Sequence, residues 1–159
     1  MPFGKSFFHL LLIPLHPDLT SHIHLCGKGN LDNSLTGLLG YAQFEYANEE
    51  LTDMFALADI AISRAGANSI CELLALHKPN ILIPLSAAAS RGDQVLNANS
   101  FKKQGFSYVI EEENLTDQTL LTAVKEVYSN KDKYIKNMSE SGQMDSISTI
   151  ISLIKEQSK

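Results

Sequence analysis

What most constrains this chain is an alternation: from about residue 20 onward, short β-rich apolar runs take turns with segments whose apolar residues recur at helical spacing. Such a succession is satisfied by a parallel sheet with helices on both faces, so the fold class expected is α/β, Rossmann-like. Residues 21–26 (SHIHLC) read as a strand closed by Gly27-Lys28-Gly29, and residues 42–46 as a second strand. Residues 48–58 carry Leu51, Met54, Phe55 and Ala58 at i, i+3, i+4 and i+7, one face of a helix. Residues 59–63 form the next strand and 68–76 the next helix. Lys78-Pro79 then breaks the chain before 80–85 (NILIPL), a run typical of a strand buried on both faces. A polar loop over 86–92 leads into a helix over 93–104, a strand over 107–110, and a helix opened by Leu115-Thr116-Asp117 that runs to Tyr128. The tail, 131–156, reads as two amphipathic helices joined near Gly142.

A chain of 159 residues supports one domain with a full core and is short for two comparable lobes, so residues 1–159 are expected to form a single domain. With 44% hydrophobic and 19% charged residues the chain is not a disordered one. A net charge of −5 offers no basic stripe and excludes nucleic acid as a partner, while leaving room for a small anion held by backbone dipoles. Cys26 and Cys71 lack C-x-x-C spacing and sit among apolar neighbours, the setting of buried free thiols. The five histidines form no H-E-x-x-H pattern, and only His22 and His24 would share a strand face. No metal or cofactor is expected. The longest apolar run, residues 7–15, is broken by His9 and Pro14 and falls short of the roughly 20 residues of a membrane span. No small-residue cleavage site follows it, so the expected compartment is the cytoplasm.

In open α/β sheets ligands bind beyond the carboxyl ends of the strands, which pairs the loop after Ser63 with the loop after Leu85. The first, Arg64-Ala65-Gly66-Ala67-Asn68-Ser69, puts a glycine and small residues where backbone can approach a ligand, and ends at a helix N-terminus. Free N–H groups and the positive end of the helix dipole suit a diphosphate there without a metal. Glu72, one turn on, is placed to accept hydrogen bonds from both ribose hydroxyls; yet Ser69-x-x-Glu72 is equally a capping box, and spacing does not choose between them. Ser90-Arg91-Gly92-Asp93-Gln94 reads in isolation as a helix cap, or it presents Asp93 and Gln94 to sugar hydroxyls. Arg64 has two readings as well: a phosphate contact, or an ion pair with a carboxylate such as Asp59. Gly27-Lys28-Gly29 is like part of a phosphate loop without the spacing of one.

Residues 58–110, with RAGANSICE, KPNILIPL and RGDQVLNA in order and separated by the right elements, resemble the C-terminal half of the MurG family. These are bacterial N-acetylglucosaminyltransferases that convert lipid I to lipid II in peptidoglycan synthesis. More loosely, the likeness extends from about His24 to the end of the chain. It implies a GT-B fold in which this half holds the UDP-GlcNAc donor, while a separate N-terminal half holds the lipid I acceptor. Carried over by position, Ala67, Asn68 and Ser69 would serve the diphosphate and Glu72 the ribose; Arg64 and Gly66 join the donor site from the reading of the loop itself. Backbone near Ala47 and Asn48 would meet uracil, and Asp93 and Gln94 the GlcNAc hydroxyls; Asp93 stands where some relatives have glutamine. The implied reaction is inverting transfer of GlcNAc to the muramyl 4-hydroxyl, at the inner face of the plasma membrane, with peripheral association made mainly by the other half.

Two departures accompany this likeness. The family's C-terminal half opens with a strand and a Gly-Gly-Ser type loop; here the start is MPFGKSFFHLLLIPLHPDLT, expected to be an atypical, non-native or disordered segment over residues 1–20. The acceptor half and its general base are absent, so these residues alone are expected to be inactive. Three rival readings share the features above. One is the donor subunit of a two-chain transferase like that of dolichol-linked glycan synthesis, another is a fragment of a UDP-GlcNAc 2-epimerase, and the third is a non-catalytic interaction remnant.

Overall fold

The computed structural model describes residues 10–13, 15–16, 19–86 and 91–142. Among these described residues there are eight strands: β1 Leu10–Ile13, β2 Leu15–His16, β3 Leu19–Thr20, β4 His22–Leu25, β5 Tyr41–Phe44, β6 Ile60–Ser63, β7 Asn80–Leu82 and β8 Tyr108–Val109. Five helices accompany them: α1 Glu50–Leu57, α2 Ala67–Ala75, α3 Asp93–Gln104, α4 Asp117–Ser129 and α5 Lys131–Ser139. The main sheet has the order β5-β4-β1-β6-β7-β8, and β2 with β3 forms a separate antiparallel pair. Pairing of β4 with β5, β6 with β7 and β7 with β8 is parallel, as an α/β succession requires. The second tail helix expected beyond Gly142 lies outside the described residues.

One strand departs from the all-parallel expectation. β1 runs antiparallel to both neighbours, pairing Leu10 with Leu25 on one side and with Ser63 on the other. Connection length accounts for this: only residues 14–21 separate β1 from β4, fewer than the dozen or so a parallel crossover needs. Because β1 opposes both β4 and β6, those two point the same way, and the carboxyl ends of β4 through β8 share one edge of the sheet.

Side-chain alternation sorts the core onto two faces. Ile60, Ile62, Ile81 and Ile83 pack with Leu120, Ala123 and Val127 of α4. Ala61 and Leu82 meet Met54 and Phe55 of α1, Ile70, Leu73 and Leu74 of α2, and Ala98 and Phe101 of α3. Tyr134 of α5 touches both clusters. α4 begins as its sequence predicts, with Thr119 N donating to Thr116 Oγ1 at 3.1 Å and Thr116 N donating to Thr119 Oγ1 at 2.8 Å. α3 ends where predicted too, on Gly105 in the left-handed region at φ 72°; a Cβ there would lie 2.5 Å from Asn137 Nδ2.

Candidate functional site

Strand β6 is buried at every position and delivers Arg64 and Ala65 to the carboxyl edge of the sheet. The chain then turns through Gly66, whose extended conformation (φ −68°, ψ 145°) makes it the N-cap of α2. No side chain caps this helix. Its first intrahelical donor is Ile70 N, bonded to Gly66 O at 3.0 Å. The amides of Ala67, Asn68 and Ser69 therefore have no acceptor among the described residues, and Ala67 and Asn68 are exposed. Nothing lies within 4 Å of the position a Cβ on Gly66 would take, so the approach to these donors is open.

This start, two residues before Asn68 takes its place in the helix, decides the double reading of Ser69 and Glu72. Ser69 sits inside the first turn instead of at the cap, so the S-x-x-E capping box does not form. Glu72 is exposed, and its carboxylate has no hydrogen-bond or ion-pair partner among the described residues. A turn of free N–H donors thus stands one helical turn from an uncommitted carboxylate.

Arg64 is engaged by the scaffold. Its Nη2 lies 2.9 Å from Glu112 Oε1, and its Nη1 donates to Ile83 O at 3.2 Å. The carboxylate it meets is Glu112 and not Asp59, which sits at the opposite end of β6 and pairs with Lys131 at 3.2 Å. Gln94 is likewise partly used: Leu85 N donates to its Oε1 at 3.1 Å, and its amide nitrogen has no hydrogen-bond partner among the described residues. Asp93 opens α3 behind Gly92 (φ 83°) and is exposed. Asn97, which sequence reasoning passed over, donates from Nδ2 to Ala65 O at 3.1 Å and ties α3 to the loop after β6. Arg64, the residues 66–69, Glu72, Asp93 and Gln94 are therefore brought to one end of neighbouring strands.

Asn48 belongs to the same edge but not to the same cluster. It precedes α1, after β5, three strand spacings from β6, or about 14 Å. Both of its backbone groups are occupied, N donating to Glu50 Oε2 at 3.2 Å and O accepting from Leu51 N at 3.2 Å. Gly27-Lys28-Gly29 folds into a closed turn in which Gly29 N donates to Glu45 Oε1, so an acidic side chain holds the amide an anion would need. Cys26 is buried and donates from Sγ to Phe44 O at 3.3 Å, with burial pushing its thiol pKa up; Cys71 is exposed on α2. His24 bonds Tyr41 through Nδ1 at 2.7 Å. Among the described residues no group of three or more His, Cys, Asp or Glu side chains is placed to hold a metal, and no helix is long and apolar enough to cross a membrane.

The profile of the glycosyltransferase family 28 C-terminal domain matches residues 13–154. The chain belongs to this family. Among similar proteins, one from Lachnospira eligens is 61% identical over 137 residues, and that match covers 86% of this chain and 39% of that protein. Another, from Lachnoclostridium phytofermentans, is 63% identical over 134 residues, covering 84% of this chain and 38% of that protein. Both are named UDP-N-acetylglucosamine–N-acetylmuramyl-(pentapeptide) pyrophosphoryl-undecaprenol N-acetylglucosamine transferase. This family 28 domain thus spans about two-fifths of the length of those relatives. Of solved structures, MurG of Acinetobacter baumannii superimposes with a TM-score of 0.64 at 18% identity, over 84% of this chain and 40% of that one. The glycotransferase of kitacinnamycin gives 0.62 at 22% identity, over 74% and 29%. These likenesses establish the fold as the Rossmann-like half of a GT-B glycosyltransferase.

Proposed function

We propose that residues 1–159 act as a single nucleotide-sugar-binding domain, the UDP-GlcNAc half of a transferase that makes lipid II from lipid I by inverting transfer of GlcNAc. The observation that carries this reading is the open first turn of α2, where three consecutive amides without acceptors lie one turn from the exposed Glu72 carboxylate. Anions are favoured at such a terminus by the free donors and by the helix dipole together. The high identity to proteins named for N-acetylglucosamine transfer supports the choice of sugar nucleotide.

In this mechanism the acceptor oxygen bonds to the anomeric carbon as the bond to UDP breaks, through an oxocarbenium-like transition state, and negative charge grows on the departing UDP. The amides of Ala67, Asn68 and Ser69 are fixed before the reaction, so they stabilise that charge without reorganising. Glu72 holds the ribose, and Asp93 with the free amide of Gln94 orients the GlcNAc hydroxyls. At the uracil end, the backbone near Ala47 and Asn48 meets the base; Asn48 O accepts from Leu51 N and keeps a second lone pair for a base N–H. Removal of the proton from the acceptor hydroxyl falls to residues of an acceptor half, which also carries the peripheral association with the inner face of the plasma membrane.

A titration with UDP-GlcNAc followed by amide chemical shifts tests the reading: residues 64–72 and 91–94 are expected to move together. Glu72→Ala weakens binding by about 1 to 3 kcal/mol, the range for hydrogen bonds to a charged group. A folded protein that shows no shifts at millimolar ligand, or unchanged affinity in the Glu72 variant, removes the assignment.

A further inference from the structure

The loop after β8 reaches the candidate site through Glu112. Glu112 opens the 3-10 turn Glu112–Asn114, and its two carboxylate oxygens go to different places. Oε1 meets Arg64 Nη2 at 2.9 Å, and Oε2 accepts from Ser86 N at 3.3 Å. Arg64 then reaches on to Ile83 O. One side chain therefore joins the loops that follow β6, β7 and β8, and Ile83 and Ile110, both buried, anchor the strand ends beneath it. The pair is partly shielded, with side-chain exposures of 20% for Arg64 and 34% for Glu112, so it is screened less than a surface pair.

We propose that Glu112 is a positioning residue for the donor site: it holds the turn before α2 and the chain at Ser86, just past β7, in one register. Donor affinity then depends on a carboxylate that does not touch the donor. The proposal rests on the UDP-GlcNAc reading for its ligand, though not for its geometry. Ordering two loops in advance removes a cost that binding would otherwise bear. An opposing effect makes the idea sharply testable. Glu112 also neutralises Arg64, so if charge alone mattered, deleting the carboxylate would free a cation beside the diphosphate and tighten binding.

The test compares wild type, Glu112→Ala, Glu112→Gln and the neighbouring control Glu113→Ala by calorimetry with UDP-GlcNAc, together with amide spectra of the free proteins. Glu112→Ala is expected to bind about 10-fold more weakly, which is the cost of re-ordering a loop or two. Glu112→Gln keeps an acceptor for Ser86 N and is expected to recover most of that loss, whereas Glu113→Ala binds as wild type does. In the free Glu112→Ala protein the amides of Ala65, Gly66 and Ser86 should shift together, a signature that a general loss of stability does not produce. Unchanged or tighter binding by Glu112→Ala overturns the proposal, as does a free spectrum in which only residues adjoining position 112 move. If wild type itself fails to bind UDP-GlcNAc, the donor reading fails, and the joint shift of the two loops still decides the positioning claim.

Discussion

On one side of β1 lie β6, β7 and β8, and on the other β4 and β5, and the two flanks are built to different standards. Every residue of β6 and β7 is buried, whereas β4 is buried only at Leu25 and β5 alternates between half-buried and exposed positions. Phe44 and Tyr46 stand 40% and 62% exposed at that outer edge. The packed flank carries the free amides, Glu72, Arg64, Asp93 and Gln94; the open flank carries only the segment assigned to the base. On the proposed reading, the groups that would meet charge in a fixed geometry are mounted where helices cover both faces, and the looser strands would serve a contact that tolerates adjustment.

The contrast can be broken most directly in the core. Ile81→Ala, at a fully buried position, should cost about 3 kcal/mol, while Ile23→Ala, partly buried in β4, should cost about 1; denaturant midpoints at unchanged slope measure both, and equal losses would erase the distinction. Next comes Asn80→Ala. Asn80 Nδ2 donates to Lys78 O at 2.9 Å and to Phe106 O at 3.3 Å, so truncation strands two carbonyls in the packed flank and should cost about 2 kcal/mol. Thr116→Ala removes half of the capping box of α4, the helix beneath β6 and β7, with an expected loss of about 1 kcal/mol in thermal or denaturant unfolding.

The smallest effect is a titration at alkaline pH. Burial raises the tyrosine pKa at Tyr41 in the open flank and at Tyr134, which bridges the two clusters. A raised folded pKa means that the native state keeps its proton longer. The associated stability is fully present below the ordinary tyrosine value of about 10, and is lost as pH rises through the folded value. Lys131, raised mainly by its hydrogen bond to Asp59, acts in the same sense; Lys78, lowered by desolvation, acts against it. Unfolding followed from pH 8 upward should show a decline beginning near pH ~10, and Tyr134→Phe and Tyr41→Phe should each flatten it.

Periodicity carried much of the fold. The strands from β4 to β8 and the bounds of α3 follow from apolar spacing, Gly92 and Gly105, because these are local signals. Where the sequence reading overran, the physics was also local but finer. The strand expected over 80–85 stops at Leu82; Ile83 N still bonds Ser63 O, but Pro84 has no N–H to continue the ladder. The capping-box reading of Ser69 failed because Gly66 could take the cap one turn earlier. The direction of β1 was not legible, since a run of leucines pairs either way and only the length of its connection decides. Nor was Glu112 legible, for its partners come from distant stretches that meet only after the sheet has formed.

The reversed strand leaves a lasting mark on how this molecule comes apart. Every ladder hydrogen bond between the two flanks passes through Leu10–Ile13, and β4 and β6 never pair with each other. Detaching that one short segment would unzip the sheet into a two-stranded ribbon, too small to persist in water, and a three-stranded remnant with a raw edge open to foreign strands. Amide exchange in those four residues thus reports the opening of the joint between the two flanks, separately from the unfolding of the packed one.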